Sequence, residues 1–356
     1  MRRIVLAATA LAVLAAGSTF AAAAPTAARP GCTGNPDSVS QLNFPVGKEM
    51  AKALVAYPSK APRGIVAFAH GYGHTMHSWK RHVARTARTL GVIAVVPNYR
   101  HQLDIPPAKG KTLPSSRGWR VAEGAEDIIA VTQLLERRCA PKGLNVLYGI
   151  SMGGNTSGLV LAAKPKAPDG SPLFDHWVNI EGAANVTETY LMARAIAPGN
   201  AYAKNAAEDI EQEMGGPIES RHAVYAERTV VNRVGDIGAS GVKSVLMVHG
   251  VLDGLVSYDH SRQLQALLVA HRIPVGMRTV VTRSAGSEPG TTADGYVPTG
   301  QTSPFAGHAS EASETHDVGQ AGFAALDSLY DTAPDVCGER VDDGMTGLSP
   351  SALDTC

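Results

Sequence analysis

Short apolar runs alternate with helical patterns along most of this 356-residue chain. The clearest runs lie at 64–70, 91–97, 144–148, 176–180 and 244–249. They are largely continuous rather than alternating with polar residues, which is typical of parallel strands that helices cover on both faces. Amphipathic helical patterns separate them, such as the one at 121–138. The alternation predicts an α/β fold built on a doubly wound sheet.

Three further strand patterns, at 39–44, 49–57 and 277–282, complete a predicted sheet of eight strands that is mostly parallel. Residues from about 186 to 242 have a helical pattern and no strand partner. We expect this segment to form a helical cap over the carboxyl ends of the strands, where ligands bind in open α/β sheets. The cap and the sheet together make one predicted domain at 25–356.

The first 24 residues have the layout of a secretory signal peptide. Arg2 and Arg3 precede an apolar stretch at 4–16, and small residues follow to Ala24. The stretch has about 13 residues, whereas a helix that spans a membrane needs about 20. We therefore expect cleavage near 22–24 and a secreted protein with no membrane span.

The charge balance and the cysteines limit the class of protein further. Lys+Arg 32 match Asp+Glu 32 and no basic run occurs, so we expect no binding to nucleic acid. The four cysteines form no C-x-x-C pair, which indicates disulfides in an exported chain. Cys337 is expected to pair with Cys356, because they close a short loop, and this leaves Cys32 to pair with Cys139.

Residues 149–153 read Gly-Ile-Ser-Met-Gly, between the apolar run at 144–148 and a helical pattern. A sharp strand-to-helix turn of this kind exposes its central serine, and the flanking glycines avoid collisions with the neighbouring backbone. Gly153 and Gly154 each cost about 1 kcal/mol relative to alanine in a helix, so helix stability does not explain them. The motif predicts Ser151 as a nucleophile.

A second glycine-rich turn, His-Gly-Tyr-Gly at 70–73, ends an earlier apolar run. Backbone N–H groups from this turn and from the residue after the serine would bind a developing oxyanion. We expect the N–H groups of Tyr72 and Met152 in this role, with Gly71 as the alternative to Tyr72. His70 is expected to shape the turn rather than to act as a general base.

The two motifs resemble those of the α/β-hydrolase superfamily, in particular its esterase, lipase and prolyl-oligopeptidase-like branches. The resemblance extends over essentially the whole chain after the signal peptide. It implies the α/β-hydrolase fold, a triad in the order serine, acid, histidine, and hydrolysis through an acyl-enzyme. It implies no particular substrate.

The resemblance also indicates where the acid and the base lie. The segment 248–256 matches the family pattern around the acid, which makes Asp253 the expected acid, with Glu181 and Asp259 as rivals. The base is expected between the last strand and the last helix. His308 follows a glycine there, as in the family's usual Gly-His, and His316 is the alternative.

These residues predict a secreted serine hydrolase that cleaves carboxylic esters. One alternative is an exopeptidase or oligopeptidase of the same superfamily, in which acidic residues receive a peptide amino terminus; the candidates are Glu181, Glu188, Glu208, Asp209, Glu211 and Glu213. Another alternative is a catalytically inactive binding module on the same fold.

The expected partner is a small-molecule ester or a peptide, and the sequence leaves the oligomeric state open. We expect no cofactor. His70, His74 and His77 have a spacing that could mimic metal ligands, but no cysteine or carboxylate lies near them in sequence, so no metal site is expected.

Overall fold

The computed structural model describes residues 31–102, 118–281, 307–309, 311, 316–331, 336–342 and 348–350. The predicted signal peptide at 1–24 lies outside these residues. So does Cys356, and with it the predicted Cys337–Cys356 disulfide.

The strands of the described residues form a single mixed sheet in the order β1-β2-β4-β3-β5-β6-β7-β8-β9-β10. They are β1 Ser40–Val46, β2 Glu49–Ala56, β3 Gly64–Ala69, β4 Ile93–Asn98, β5 Leu144–Ile150, β6 His176–Ile180, β7 Ser244–Gly250, β8 Val275–Val280, β9 Gly338–Asp342 and β10 Leu348–Pro350. From β4 to β9 all neighbours are parallel, whereas β1, β2 and β10 pair antiparallel. The predicted doubly wound, mostly parallel sheet is confirmed.

The predicted number of strands was wrong, because the described residues contain ten strands rather than eight. The two additional strands, β9 and β10, follow the last helix and extend one edge of the sheet. β9 reads Gly-Glu-Arg-Val-Asp and has only one apolar side chain. Outer strands are often short and charged, so they lack the apolar run by which the central strands were recognised.

Nine α-helices lie within the described residues. They are α1 Lys80–Leu90, α2 Val121–Cys139, α3 Met152–Ala162, α4 Val186–Ile196, α5 Ala201–Met214, α6 Ile218–Arg228, α7 Val234–Ala239, α8 Tyr258–Ala270 and α9 Asp317–Ser328. Helices α2, α3 and α8 pack on one face of the sheet, and α1 and α9 pack on the other. Helices α4 to α7 come between β6 and β7, in the segment predicted as a cap.

The alternation of side chains along β3 shows how the sheet separates two apolar cores. Ile65, Ala67 and Ala69 contribute to the core under α2 and α3, whereas Val66 and Phe68 contribute to the core under α1 and α9. Every residue of β3 is buried, as expected for a strand with helices on both faces. The continuous apolar run is therefore a consequence of burial on two sides.

Cys32 and Cys139 form a disulfide, with their Cα atoms 5.6 Å apart. The bond joins the chain just before β1 to the last residue of α2, across 107 residues of sequence. No helix in the described part of the chain is long and apolar enough to cross a membrane.

Candidate active site

Ser151 lies in the sharp turn between β5 and α3, at the carboxyl end of a central strand. Its backbone has φ 56° and ψ −123°, a conformation that L residues rarely adopt. The Ser151 N–H donates to the Ile180 carbonyl at 2.9 Å, which ties the turn to the end of β6. Within the described residues the Ser151 hydroxyl makes no hydrogen bond. The site thus holds the serine in a strained backbone, and no group of the described residues engages its side-chain oxygen.

Glycine is required on both sides of this turn. A Cβ atom at Gly149 would lie 2.2 Å from the Gly153 carbonyl oxygen, and one at Gly153 would lie 2.0 Å from the Ala69 carbonyl oxygen. Both separations are far below van der Waals contact. The glycines of the motif therefore let β3, the turn and α3 approach closely enough to expose the serine.

The carboxylate of Asp253 and the imidazole of His308 are in direct contact, although 55 residues separate them in sequence. His308 Nδ1 lies 2.7 Å from Asp253 Oδ2. The other carboxylate oxygen accepts the N–H groups of Leu255 at 2.8 Å and Val256 at 2.9 Å. The carboxylate is buried, and backbone amides hold it in a fixed orientation toward the histidine.

A second carboxylate, that of Glu181, borders the same histidine. Its Oε2 atom accepts the Ala309 N–H at 2.6 Å and lies 3.5 Å from His308 Nδ1. Its Oε1 atom accepts the Gly250 N–H at 3.0 Å. The rival acid of the sequence analysis is therefore part of the same cluster as Asp253. The other rival, Asp259, is exposed in the first turn of α8.

The charges of this cluster shift the pKa values of its members in opposite directions. Burial lowers the pKa of His308, but the charge and hydrogen bond of Asp253 outweigh burial and raise that pKa to about 9. Burial raises the pKa of Asp253, yet His308 and His249 more than offset it, and the net pKa is lowered. Burial, and next the charge of Asp253, raise the pKa of Glu181 to about 7.

His249, the second-last residue of β7, also borders the cluster, and no motif in the sequence marked it as part of the site. Its Nε2 atom lies 3.0 Å from the Val256 carbonyl oxygen and 3.4 Å from Asp253 Oδ2, while its Nδ1 atom lies 2.7 Å from Ser261 Oγ. Among the described residues, Glu181, His249 and Asp253 are the group whose ligand atoms approach closely enough to hold a metal ion. The side chains of all three already form hydrogen bonds with other protein groups. This arrangement fits proton transfer better than the binding of a metal cation.

The glycine-rich turn after β3 lies against the serine turn. A Cβ atom at Gly71 would lie 3.3 Å from Ser151 Cβ. The Gly71 N–H donates to Glu311 Oε1, so the alternative oxyanion donor is already engaged. The N–H groups of Tyr72 and Met152, the expected donors, make no hydrogen bonds with the residues that the structure describes.

Glu311, three residues after His308, links that histidine's segment to the glycine-rich turn. No motif in the sequence predicted this residue. The residue is buried, and its Oε2 atom lies 3.0 Å from His74 Nε2. The backbone oxygen of Glu311 lies 2.7 Å from His82 Nε2. His70, expected to shape the turn, stacks on Tyr99 with ring centroids 3.8 Å apart.

The alternative base, His316, is the residue that precedes α9. It is buried, and its carbonyl accepts the Gln320 N–H at 2.9 Å, as expected at the start of a helix. Of the two candidate histidines, it is therefore His308 whose imidazole is hydrogen-bonded to Asp253.

An apolar cavity opens beside Ser151, between the serine turn and helices α4 and α5. Its side chains are mostly large and apolar: Trp119, Met192, Ile196, Tyr202, Leu255 and Val256. Tyr72 also lines the cavity and donates a hydrogen bond from its hydroxyl to Asp209 Oδ2 at 2.6 Å. This bond connects the glycine-rich turn to α5. No Asp or Glu is among the described residues that line the cavity.

The acidic residues proposed to receive a peptide amino terminus have other partners. Asp209 accepts from Tyr72, and Glu211 accepts from the Tyr190 hydroxyl. Glu213 accepts the Ala122 N–H at 3.0 Å. Glu208 is exposed and lies 3.8 Å from Lys204. These four carboxylates do not line the cavity, and neither do the other two candidates, Glu181 and Glu188.

No protein-family model matches the sequence, and no curated protein matches it. Solved structures do resemble its fold. The uncomplexed acylaminoacyl peptidase of Pyrococcus horikoshii aligns with a TM-score of 0.50 and 16% identity, over 68% of this chain and 36% of that one. A single-substitution variant of the esterase rPPE aligns with a TM-score of 0.50 and 15% identity, over 80% of each chain.

This chain therefore spans about a third of the length of the peptidase and most of the length of the esterase. Identities this low carry the architecture and not the activity. The sheet order, the helices on both faces and the serine turn after β5 agree with that architecture. The chain has the α/β-hydrolase fold.

Proposed function

We propose that this protein is a serine hydrolase of carboxylic esters, with Ser151 as nucleophile, His308 as general base and Asp253 as the acid. One observation carries the proposal. A strained serine turn ends β5, and a buried carboxylate bonded to a histidine at 2.7 Å follows β7 at the same edge of the sheet. Parallel strands bring their carboxyl ends to one edge, which is where ligands bind in this architecture.

The proposed reaction begins when the neutral imidazole of His308 removes the proton of Ser151 and the serine oxygen attacks the ester carbonyl. Asp253 accepts a hydrogen bond from the His308 Nδ1–H group, holds the reactive tautomer and stabilises the imidazolium. The N–H groups of Tyr72 and Met152 bind the oxygen of the tetrahedral intermediate. His308 then protonates the departing alkoxide, and water hydrolyses the acyl-enzyme by the same steps.

The cavity beside Ser151 favours esters over peptides with a free amino terminus. Its described lining is mostly apolar, and none of the candidate carboxylates for an ammonium group is among the lining residues. An uncharged acyl group would gain from burial there, whereas an ammonium group would lose its hydration without a partner. We propose that the helices at 186–239 act as the cap that supplies this acyl pocket.

The test compares the wild type with Ser151→Ala on p-nitrophenyl butyrate and on an aminoacyl p-nitroanilide. The proposal expects ester hydrolysis at least about 10-fold faster than amide hydrolysis, and a loss of about 10⁴-fold or more in Ser151→Ala. Ser220→Ala removes an exposed hydroxyl on α6 and should retain wild-type rates. Undiminished ester turnover by Ser151→Ala would contradict the proposal, and faster amide turnover would favour the peptidase alternative.

A second comparison separates the two candidate bases. His308→Ala is expected to lose about 10³-fold or more in kcat, because the serine then lacks its base. His316→Ala removes a helix-flanking imidazole and should lose less than about 10-fold. The opposite order would assign the base to His316.

We also propose that the protein is secreted. The sequence pattern at 1–24 and the Cys32–Cys139 disulfide both support this, because disulfides persist in oxidising compartments. The test is expression with the native amino terminus in a secreting host, followed by mass spectrometry of the medium. A mature chain that begins near residue 25 is expected, and retention of the intact chain inside the cell would contradict secretion.

A further inference from the structure

Glu181 is a fully buried carboxylic acid in a strained backbone position. It directly follows β6 with φ 46°, and its N–H donates to the Val248 carbonyl at 2.9 Å. Burial of a carboxylate is unfavourable unless hydrogen bonds compensate for lost hydration. A glutamate that is both buried and strained therefore calls for an explanation beyond fold stability.

Within the described residues, the Glu181 carboxylate accepts its hydrogen bonds from the two segments that carry the proposed acid–base pair. One oxygen accepts the Gly250 N–H, three residues before Asp253, and the other accepts the Ala309 N–H, directly after His308. The second oxygen also lies 3.5 Å from His308 Nδ1. The same imidazole nitrogen thus faces two carboxylates, Asp253 at 2.7 Å and Glu181 at 3.5 Å.

We propose that Glu181 is a positioning residue for His308 and a reserve acid for the same imidazole. In the wild type it holds the backbone beside His308 through Ala309 and adds a second negative charge near Nδ1. Where Asp253 is replaced, the Oε2 atom of Glu181 accepts the hydrogen bond of the His308 Nδ1–H group. This inference rests on the proposed serine hydrolase function.

The charged groups around Glu181 determine how the site responds to pH. His308 and His249 face it as cations when protonated, and Asp253 faces it as an anion. Burial and Asp253 raise the pKa of Glu181 to about 7, so it changes charge in the neutral range. An ionised Glu181 raises the pKa of His308, and its removal should lower that pKa.

The experiment measures kcat and KM of Glu181→Gln, Asp253→Asn and the double variant. Glu181→Gln is expected to lose about 10-fold in kcat with KM unchanged, because the effect acts through the base. Asp253→Asn is expected to lose only about 10²-fold, compared with about 10⁴-fold for a triad without a second carboxylate. The double variant should lose more than about 10⁴-fold, which exceeds the product of the single losses.

Two further readouts distinguish this role from a purely structural one. In Glu181→Gln the acid limb of the pH profile of kcat/KM should move to lower pH, since a negative charge near His308 is removed. In Asp253→Asn a low-field proton resonance of the imidazole Nδ1–H should persist, because Glu181 Oε2 accepts a hydrogen bond from that group. Glu227→Gln, which removes an exposed carboxylate paired with Arg228, should change neither readout.

The inference is overturned if the double variant is no slower than Asp253→Asn, or if the pH profile of Glu181→Gln coincides with that of the wild type. If Glu181→Gln does not fold, the Nδ1–H resonance of Asp253→Asn decides, and its disappearance overturns the reserve role. Ser151→Ala is measured alongside. Full ester turnover by Ser151→Ala would reject the proposed function itself. If Ser151→Ala is inactive but the loss in kcat of the Glu181/Asp253 double variant equals the product of the two single losses, only the role of Glu181 is rejected.

Discussion

The backbone of Ser151 depends on glycines that have no room for a side chain. A Cβ atom at Gly153 would lie 2.0 Å from the Ala69 carbonyl oxygen, so β3 and α3 could not keep their separation. The serine turn is therefore a property of the surrounding backbone as much as of the serine itself. This explains why helix propensity fails to account for glycine at the start of α3.

We expect Gly153→Ala to destabilise the protein by about 3 kcal/mol, measured by urea denaturation, because the new methyl group collides with backbone rather than with a mobile side chain. Gly319→Ala in α9 is the matched control. A Cβ atom there meets nothing within 4 Å of the described structure, so the change should be neutral or stabilise by up to about 1 kcal/mol. Equal effects of the two substitutions would contradict the crowding argument.

The protonation of His308 sets the expected pH dependence. Asp253 raises the pKa of this histidine above its ordinary value of 6.5, to about 9, despite burial. Only the neutral imidazole can accept the serine proton, so kcat/KM should rise as the pH increases through a value above 6.5. The measurement is the pH profile of kcat/KM with an uncharged ester. An acid limb with a midpoint below 6.5 would contradict the described electrostatics.

At the scale of elements, apolar runs predicted the central strands because those strands are buried on both faces. The run at 64–70 became β3 and the run at 244–249 became β7. The charged strand β9 lacked that signal, because it lies beside the short β10 at the edge of the sheet. The helical segment at 186–242 was recognised as one stretch, and it contains four α-helices. One break lies at Gly215, where φ is 76°.

Residues of the candidate site also differ in whether the sequence alone could predict them. Ser151 was predicted from a local motif, and Asp253 and His308 were predicted from the resemblance to the α/β-hydrolase superfamily. Glu311 had neither, because its contact with Gly71 joins residues 240 positions apart and exists only in the folded chain. Such a contact has no pattern in a single sequence.

Glu311 connects two elements of the proposed site, the His308 segment and the glycine-rich turn. We expect Glu311→Gln to destabilise the protein by about 1–3 kcal/mol, because buried partners of the carboxylate lose a charged hydrogen-bond acceptor. kcat should fall by about 10-fold, since the turn that carries the Tyr72 N–H would be less rigid. Thermal unfolding and ester kinetics measure the two effects. A variant with wild-type stability and kcat would show that the link is dispensable.

At the scale of the whole molecule, the Cys32–Cys139 disulfide ties the chain before β1 to the end of α2. The bond restricts the unfolded chain, and its removal should cost about 2–4 kcal/mol. We expect Cys32→Ser/Cys139→Ser to lower the free energy of unfolding, measured by urea denaturation, by that amount and so to lower the urea midpoint, while the kcat of the folded fraction stays within about 2-fold. An unchanged midpoint in the double variant would contradict a stabilising role.

The proposed serine hydrolase has one nucleophile, the hydroxyl of Ser151. The most direct measurement is labelling of the folded protein with a fluorophosphonate, followed by mass spectrometry of its peptides. We expect a single adduct on Ser151, absent in Ser151→Ala, formed much more slowly in His308→Ala and unchanged in Ser220→Ala. An adduct on another residue, or folded wild-type protein that takes up no label, would contradict this expectation and favour a binding module on the same fold.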